Sequence, residues 1–280
     1  MIALRRIINK NHGSLCRNYC ANQKLVEIAH DNETGISVLS MARPPVNSLN
    51  TELLKQLGQS LNELQNNGSK GIILTSSLPS VFSAGLDIME MYEPDLKKAT
   101  DFWHTLQDTW LTLYSLKIPV AAAINGASPA GGCLLSISCE YRVFVEGKHT
   151  IGLNETKLGI TAPTWFKDLY VSTLGYRIAE IALMRGSLFS PKEALQIGLV
   201  DELATDKADA IKKCQDYISE FRKISPLARA ETKRELRKQQ SLWMKDNKEM
   251  DTKRFLTFIL MPQVQAGLKL YIESLKQKTQ

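Results

Sequence analysis

The chain has little of what metal and redox chemistry require. Its four histidines, His12, His30, His104 and His149, are dispersed. No H-E-x-x-H motif pairs two of them on one helix face. The five cysteines, Cys16, Cys20, Cys133, Cys139 and Cys214, are odd in number and scattered. They make no disulfide framework and show no zinc spacing, so no metal site is expected and a reducing compartment is. There is no Walker A loop, no G-x-G-x-x-G fingerprint and no G-x-S-x-G elbow. No apolar run approaches the ~20 residues of a membrane helix, so no membrane span is expected.

Acid is also missing from one place. Residues 1–26 carry Arg5, Arg6, Lys10, Arg17 and Lys24, and the first acid is Glu27. An arginine-containing, acid-free start is the mark of a mitochondrial transit peptide, here assigned to residues 1–24. No long apolar stretch follows the charges, which argues against a secretory signal. The net charge of +6 loses much of its excess when this segment goes. Little global basic character then remains, and no nucleic-acid partner is expected. The Lys233–Lys238 run is read as a solvated helix face.

What is present is an ordinary soluble composition, 44% hydrophobic and 23% charged, with enough chain for a large core. Leu25–His30 and Gly35–Met41 flank the turn-rich Asp31-Asn-Glu-Thr-Gly35 and read as a hairpin. Leu53, Leu54, Leu57, Leu61 and Leu64 fall at helical spacing, followed by Asn66-Asn67-Gly68. Gly71–Thr75 is the next strand, and this order argues for a mostly parallel sheet covered by helices. Trp103, Leu106, Trp110, Leu113 and Tyr114 mark another helix. Ser190-Pro191-Lys192-Glu193 is a capping box with proline at the first helical position. From about Lys207 onward only helices are expected. The last places Val264, Leu268, Tyr271, Ile272 and Leu275 on one side, an apolar stripe that needs a partner either in its own chain or in another subunit.

Two glycine turns and one carboxylate are the groups left for chemistry. Pro119–Ile124 reads as a buried strand, stopped by Asn125-Gly126, residues that tolerate positive φ. Pro129, Gly131 and Gly132 then open a buried helix. A helix start offers unpaired N–H groups and partial positive charge. Such a place suits an oxygen that becomes negative during a reaction. Val81-Phe-Ser-Ala-Gly-Leu-Asp87 is a second such junction. Glu155 stands among apolar neighbours in Ile151–Ile160, where desolvation should raise its pKa. Each feature alone also has a plain structural explanation.

Together they are more specific. Phe82–Ile88, Ile124–Cys133, Gly152–Gly159 and Ser190–Val200, in that order, resemble the crotonase, or enoyl-CoA hydratase/isomerase, superfamily. The resemblance runs from about Leu25 to the C-terminus. It implies an α/β fold, a crotonase-like spiral of ββα turns over residues 25–200. A C-terminal helical trimerisation region, residues 201–280, and hence a homotrimer, follow from the same resemblance. It places the oxyanion-hole donors on the main-chain N–H groups of Leu86 and Gly131 and the catalytic carboxylate on Glu155.

Hydratases of the superfamily use two glutamates, and the position of the first is Leu134 here. A leucine neither positions nor deprotonates water, so the resemblance implies a one-carboxylate isomerase. Its substrate would be a fatty 3-enoyl-CoA in the mitochondrial matrix, with coenzyme A part of the substrate and no cofactor. Ala84, Gly85, Leu86, Asp87 and Ile88 would line the pantetheine path, with Gly131 and Asn154 at the thioester end. Asp87 is also read as a helix N-cap. Trp165 and Phe166 are candidates for the acyl tunnel. Thioester hydrolysis and a non-catalytic trimeric or RNA-binding role are the alternatives.

Overall fold

The computed structural model describes residues 24–277. The expected transit segment thus lies, but for Lys24, outside the described residues. In chain order the strands and helices are β1 (Val26–His30), β2 (Ile36–Met41), α1 (Thr51–Asn66), β3 (Gly71–Ser76), β4 (Ser80–Val81) and α2 (Leu96–Tyr114). Then come β5 (Val120–Ile124), β6 (Gly126–Pro129), α3 (Gly131–Ser138), β7 (Tyr141–Val145), β8 (Ile151–Gly152), α4 (Thr164–Leu174) and α5 (Tyr176–Arg185). The chain closes with α6 (Pro191–Gln196), β9 (Glu202–Ala204), α7 (Lys207–Ser219), α8 (Pro226–Ile259) and α9 (Pro262–Gln277).

The strands form two sheets. The larger has the order β1-β2-β3-β5-β7-β9, and the smaller β4-β6-β8. Among the described strand pairs, only β1–β2 is antiparallel. Three times the chain leaves the large sheet, adds a short strand to the small one and enters a helical segment. The triples are β3-β4-α2, β5-β6-α3 and β7-β8-α4, the last through a 3₁₀ turn at Glu155–Leu158. This repeated ββα turn is the expected architecture. The sheet takes β9 from beyond residue 200, a strand too short to read from sequence.

Local chemistry sets the elements. Asp31 organises the hairpin turn by accepting from the Glu33 N–H (2.9 Å) and the Thr34 hydroxyl (2.7 Å). Asn50 caps α1 by accepting from the Leu53 N–H. The five leucines of α1 are all buried, each contributing roughly 1.5–3 kcal/mol of gross apolar burial. The capping box at Ser190 and Glu193 is present in both directions. In β5 the side chains alternate between two cores, Val120, Ala122 and Ile124 on one face, Ala121 and Ala123 on the other. The second face is covered by Ala210, Cys214 and Ile218 of α7.

Two readings need correction. The Asn125-Gly126 break is not a positive-φ turn. The chain there steps into β6, and a β-carbon on Gly126 would lie 1.9 Å from the Ser80 carbonyl carbon. The positive φ falls instead on Ala130 (φ 48°, ψ −119°). The Lys233–Lys238 run is not wholly a solvated face. Lys233 is buried and donates to Glu140 (2.8 Å), which Arg229 also engages. Arg237 donates to the carbonyls of Tyr114 and Ser138 (2.9 Å each). The α9 stripe finds part of its partner within its own chain, one of the two possibilities expected. Val264 and Leu268 are buried, Tyr271 and Ile272 half-buried, and Leu275 exposed.

Candidate active site

The small sheet delivers all three expected functional groups. Leu86 follows β4, Gly131 follows β6 and Glu155 follows β8. Successive ββα turns therefore bring their loops to one place.

The Leu86 loop is held from one side. Leu49 N–H donates to the Gly85 carbonyl (2.8 Å), and Asp87 N–H donates to the Leu49 carbonyl (3.1 Å). Those two bonds leave the Leu86 N–H turned away from Leu49. Gly85 has φ +89°, which a side chain would strain. Beneath the loop, Asn47 is fully buried and donates to Ser76 Oγ (2.7 Å) and the Phe82 carbonyl (3.0 Å), while Ser83 Oγ donates to the Asn47 carbonyl (2.7 Å). The Pro44–Ser48 segment joins β2 to α1. Its role as the bed of this loop comes from contacts distant in sequence.

Gly131 is the first residue of α3, where an N–H has no intrahelical acceptor. A β-carbon on Gly131 would stand 3.2 Å from Leu86 N, and one on Gly85 would stand 3.2 Å from Gly131 N. The two N–H groups are therefore neighbours. Among the described residues neither has an acceptor. Strain at Ala130, held by its N–H to the Gly152 carbonyl (2.8 Å), sets the entry to this helix.

Glu155 is 5% exposed, and its Oε2 is sealed from solvent without a hydrogen-bond partner. Burial pushes its carboxyl up to about 7, only partly offset by its own N–H. Asn154 beside it is half-buried, with an equally unpartnered Oδ1. Glu155 and Leu86 line one cleft of about 220 Å³. Its other walls are mostly apolar and include Met91, Trp103, Ile160, Phe166, Phe255 and Ile259. Phe166 lines the cleft, whereas Trp165 lies behind it, buried.

The remaining expected residues fall around this centre. Ala84 is exposed, and Ile88 is half-buried against the main core. Asp87 caps the 3₁₀ turn Ile88–Glu90 by accepting from Met89 N–H (3.1 Å) and pairs with Arg43 (2.9 Å). Leu134 is fully buried in the main apolar cluster and is not among the residues lining the cleft. Among the described residues no group of three or more metal-ligating side chains comes together. No single described helix is long and apolar enough to cross a membrane.

Sequence reading missed Asp251. It is 4% exposed, lines the cleft from α8 and accepts from Trp103, Gln107 and Trp165. A signal was available, since Met244, Asp251, Phe255 and Ile259 lie at helical spacing on one buried stripe.

A spiral of ββα turns with paired N–H donors over a buried carboxylate defines a class. The enoyl-CoA hydratase/isomerase family model matches residues 31–280, and the chain belongs to that family. Within it, the chain is 43% identical to mitochondrial enoyl-CoA delta isomerase 1 of Mus musculus, covering 94% of this chain and 90% of that one. The Homo sapiens counterpart is 40% identical, over 95% and 88%. The crystal structure of human mitochondrial Δ3-Δ2-enoyl-CoA isomerase superposes with a TM-score of 0.88 at 40% identity, covering 91% of this chain and 99% of that one. An enoyl-CoA hydratase from Bacillus halodurans shares the fold, with a TM-score of 0.78 at 21% identity, covering 88% and 100% of the two chains.

Proposed function

We propose that this protein is a Δ3-Δ2-enoyl-CoA isomerase that moves the double bond of a 3-enoyl-CoA to give the trans-2-enoyl-CoA. The carrying observation is the buried carboxylate of Glu155. Glu155, buried and unpartnered at Oε2, faces the same cleft as Leu86, while Leu134 stands where the resemblance places the first of the two hydratase glutamates. The relatives at 40–43% identity bear the same activity in their names.

The chemistry follows from charge and geometry. A C2 proton of the substrate lies between the thioester carbonyl and the double bond. Glu155 removes it, and the negative charge of the dienolate gathers on the thioester oxygen. The Leu86 and Gly131 N–H groups receive that oxygen, each supplying roughly 3–4 kcal/mol of transition-state stabilisation. Glu155 then returns the proton to C4. One carboxylate suffices because both carbons can lie on its side of the planar dienolate. A base poised near pH 7 abstracts and returns a proton with similar ease. The step balances without an oxidant or a reductant, so no cofactor is required beyond the coenzyme A handle. Ala84–Ile88 would carry the pantetheine arm, and Asn154 would steady the thioester end.

The setting we infer is fatty-acid β-oxidation in the mitochondrial matrix, with residues 1–24 as the targeting segment. The relatives' mitochondrial names and the acid-free start support it. A homotrimer is proposed on the family resemblance, with exposed Leu227, Leu236 and Leu242 of α8 and Leu275 of α9 as apolar surface for contacts. Light scattering at the trimer mass supports this, and a stable monomer contradicts it.

The function is tested by giving purified protein a 3-enoyl-CoA and following absorbance of the conjugated enoyl thioester. A rise without added metal or cofactor is expected. No rise at any chain length contradicts the proposal. Release of free thiol instead would identify thioester hydrolysis.

A further inference from the structure

The acyl cleft contains a charge that the proton shuttle does not use. Asp251 lines the cleft from α8, beside Trp103, Phe166, Phe255 and Ile259 in a mostly apolar wall. Its Oδ2 takes three neutral donors, Trp103 Nε1 (2.8 Å), Gln107 Nε2 (2.8 Å) and Trp165 Nε1 (3.2 Å). These bonds staple α8 to α2 and α4. Trp103 is held further by face-to-face stacking on Phe255, centroids 3.8 Å apart.

The other oxygen is different. Among the described residues no donor reaches Oδ1, yet it is not one of the sealed, unsatisfied atoms. Oδ2 is taken up by those donors, which leaves Oδ1 as the oxygen to face the cleft that Asp251 lines. Among the described residues no cation pairs with it; Arg254, three residues on, lines the same cleft but is exposed and forms no ion pair with Asp251 there. A carboxylate oxygen facing an apolar cavity is costly to desolvate. An alkyl chain laid against it would strip its water and return nothing. A hydroxyl on the chain would replace that water with a charge-assisted hydrogen bond.

We propose that Asp251 makes this cleft selective for acyl chains that carry a hydroxyl group on the distal segment reaching α8. The proposal rests on the acyl-CoA reading of the site and names a substrate class within it. The cleft of about 220 Å³ is small beside the ~300–1,000 Å³ of common ligand pockets, so a chain seated at Glu155 soon meets its walls. Asp251 acts on binding of the distal chain and takes no part in proton transfer.

The test compares matched 3-enoyl-CoA thioesters of equal length, one plain and one hydroxylated at its terminus, across several chain lengths. Dissociation constants of the matching saturated acyl-CoAs are measured alongside. At the lengths that reach Asp251, the wild-type protein should favour the hydroxylated member about tenfold, the worth of one hydrogen bond to a charged acceptor. Shorter pairs should show no preference. Asp251→Asn preserves a neutral acceptor for the three donors and should reduce the preference severalfold. Equal or weaker wild-type binding of hydroxylated chains at every length overturns the proposal. So does a preference independent of length, or one unchanged in folded Asp251→Asn. If that variant does not fold, the wild-type length series still decides. Failure of the isomerase reading appears separately, as no turnover of any substrate while the binding constants remain measurable.

Discussion

The main-chain nitrogen of Leu86 lies against Gly131, so that a β-carbon on Gly131 would sit 3.2 Å from it. The same methyl would lie 3.0 Å from Leu49 Cδ1 and 3.1 Å from Leu86 Cδ2. The room beside the two N–H groups is therefore room that any side chain at 131 would take. Gly131→Ala should place a methyl where the thioester oxygen is to be received. A fall in kcat of about 10²-fold is expected, the scale of losing one oxyanion donor. Steady-state kinetics on a 3-enoyl-CoA check it. Wild-type kcat in the folded variant would remove Gly131 from the oxyanion hole.

The burial of Glu155 makes two pH predictions. With its carboxyl pushed up to about 7, kcat/KM should rise with pH, reach half its plateau near 7 and level above it. Stability should run the other way. The folded protein keeps this proton to about pH 7, whereas the unfolded chain gives it up near the ordinary value of 4.5. The stability this group contributes is complete below about pH 4.5 and is lost as the pH rises through 7. Glu155→Gln cannot ionise, so at pH 8 it should be more stable than wild type by up to roughly 3 kcal/mol. Urea unfolding at pH 5 and pH 8 measures the change. An equal difference at both pH values would contradict the assignment.

Leu134→Glu should not yield an efficient hydratase. Leu134 is fully buried among apolar side chains, so the new carboxylate enters the core without a partner. A stability loss of roughly 2–5 kcal/mol is expected, as for deleting a buried leucine. Hydration of a 2-enoyl-CoA by this single variant should stay negligible. Efficient hydration would show that position 134 alone separates the two reactions.

Glu140 should be essential to the seating of α8. Its burial would raise its carboxyl, but the charges of Lys233 and Arg229 outweigh that and hold it below the usual range. Burial drives the Lys233 ammonium down to about 8, against the pull of Glu140. Glu140→Gln leaves two buried cations without their counter-charge. A loss of about 3–5 kcal/mol in urea unfolding is expected. A loss below about 1 kcal/mol would show that the cluster contributes little to stability.

Much of the fold was legible because its signals are local. The α1 leucines, the Asp31 turn and the Ser190 capping box each depend on neighbours within a few residues. The order of the glycine turns marked the family, and Glu155 stood out as a carboxylate among apolar neighbours. What escaped depends on contacts between distant segments. Gly126 is dictated by the backbone at Ser80, which no local reading of Asn-Gly shows. Lys233 and Arg237 look like solvent charges until Glu140 and the Tyr114 carbonyl are placed beneath them. Asp251 sits in a charged helix, and only the convergence of Trp103, Gln107 and Trp165 explains it.

The central claim is that Glu155 carries the proton between C2 and C4. The most direct measurement is kcat of Glu155→Gln on a 3-enoyl-CoA, with binding of a saturated acyl-CoA measured on the same preparation. Glutamine keeps the size of the side chain and leaves the Leu86 and Gly131 N–H groups in place, but it cannot accept the proton. A fall in kcat of about 10²–10⁴-fold is expected, with acyl-CoA affinity within a few-fold of wild type. A folded Glu155→Gln protein with near-normal kcat would contradict the account and assign the proton transfer to another residue.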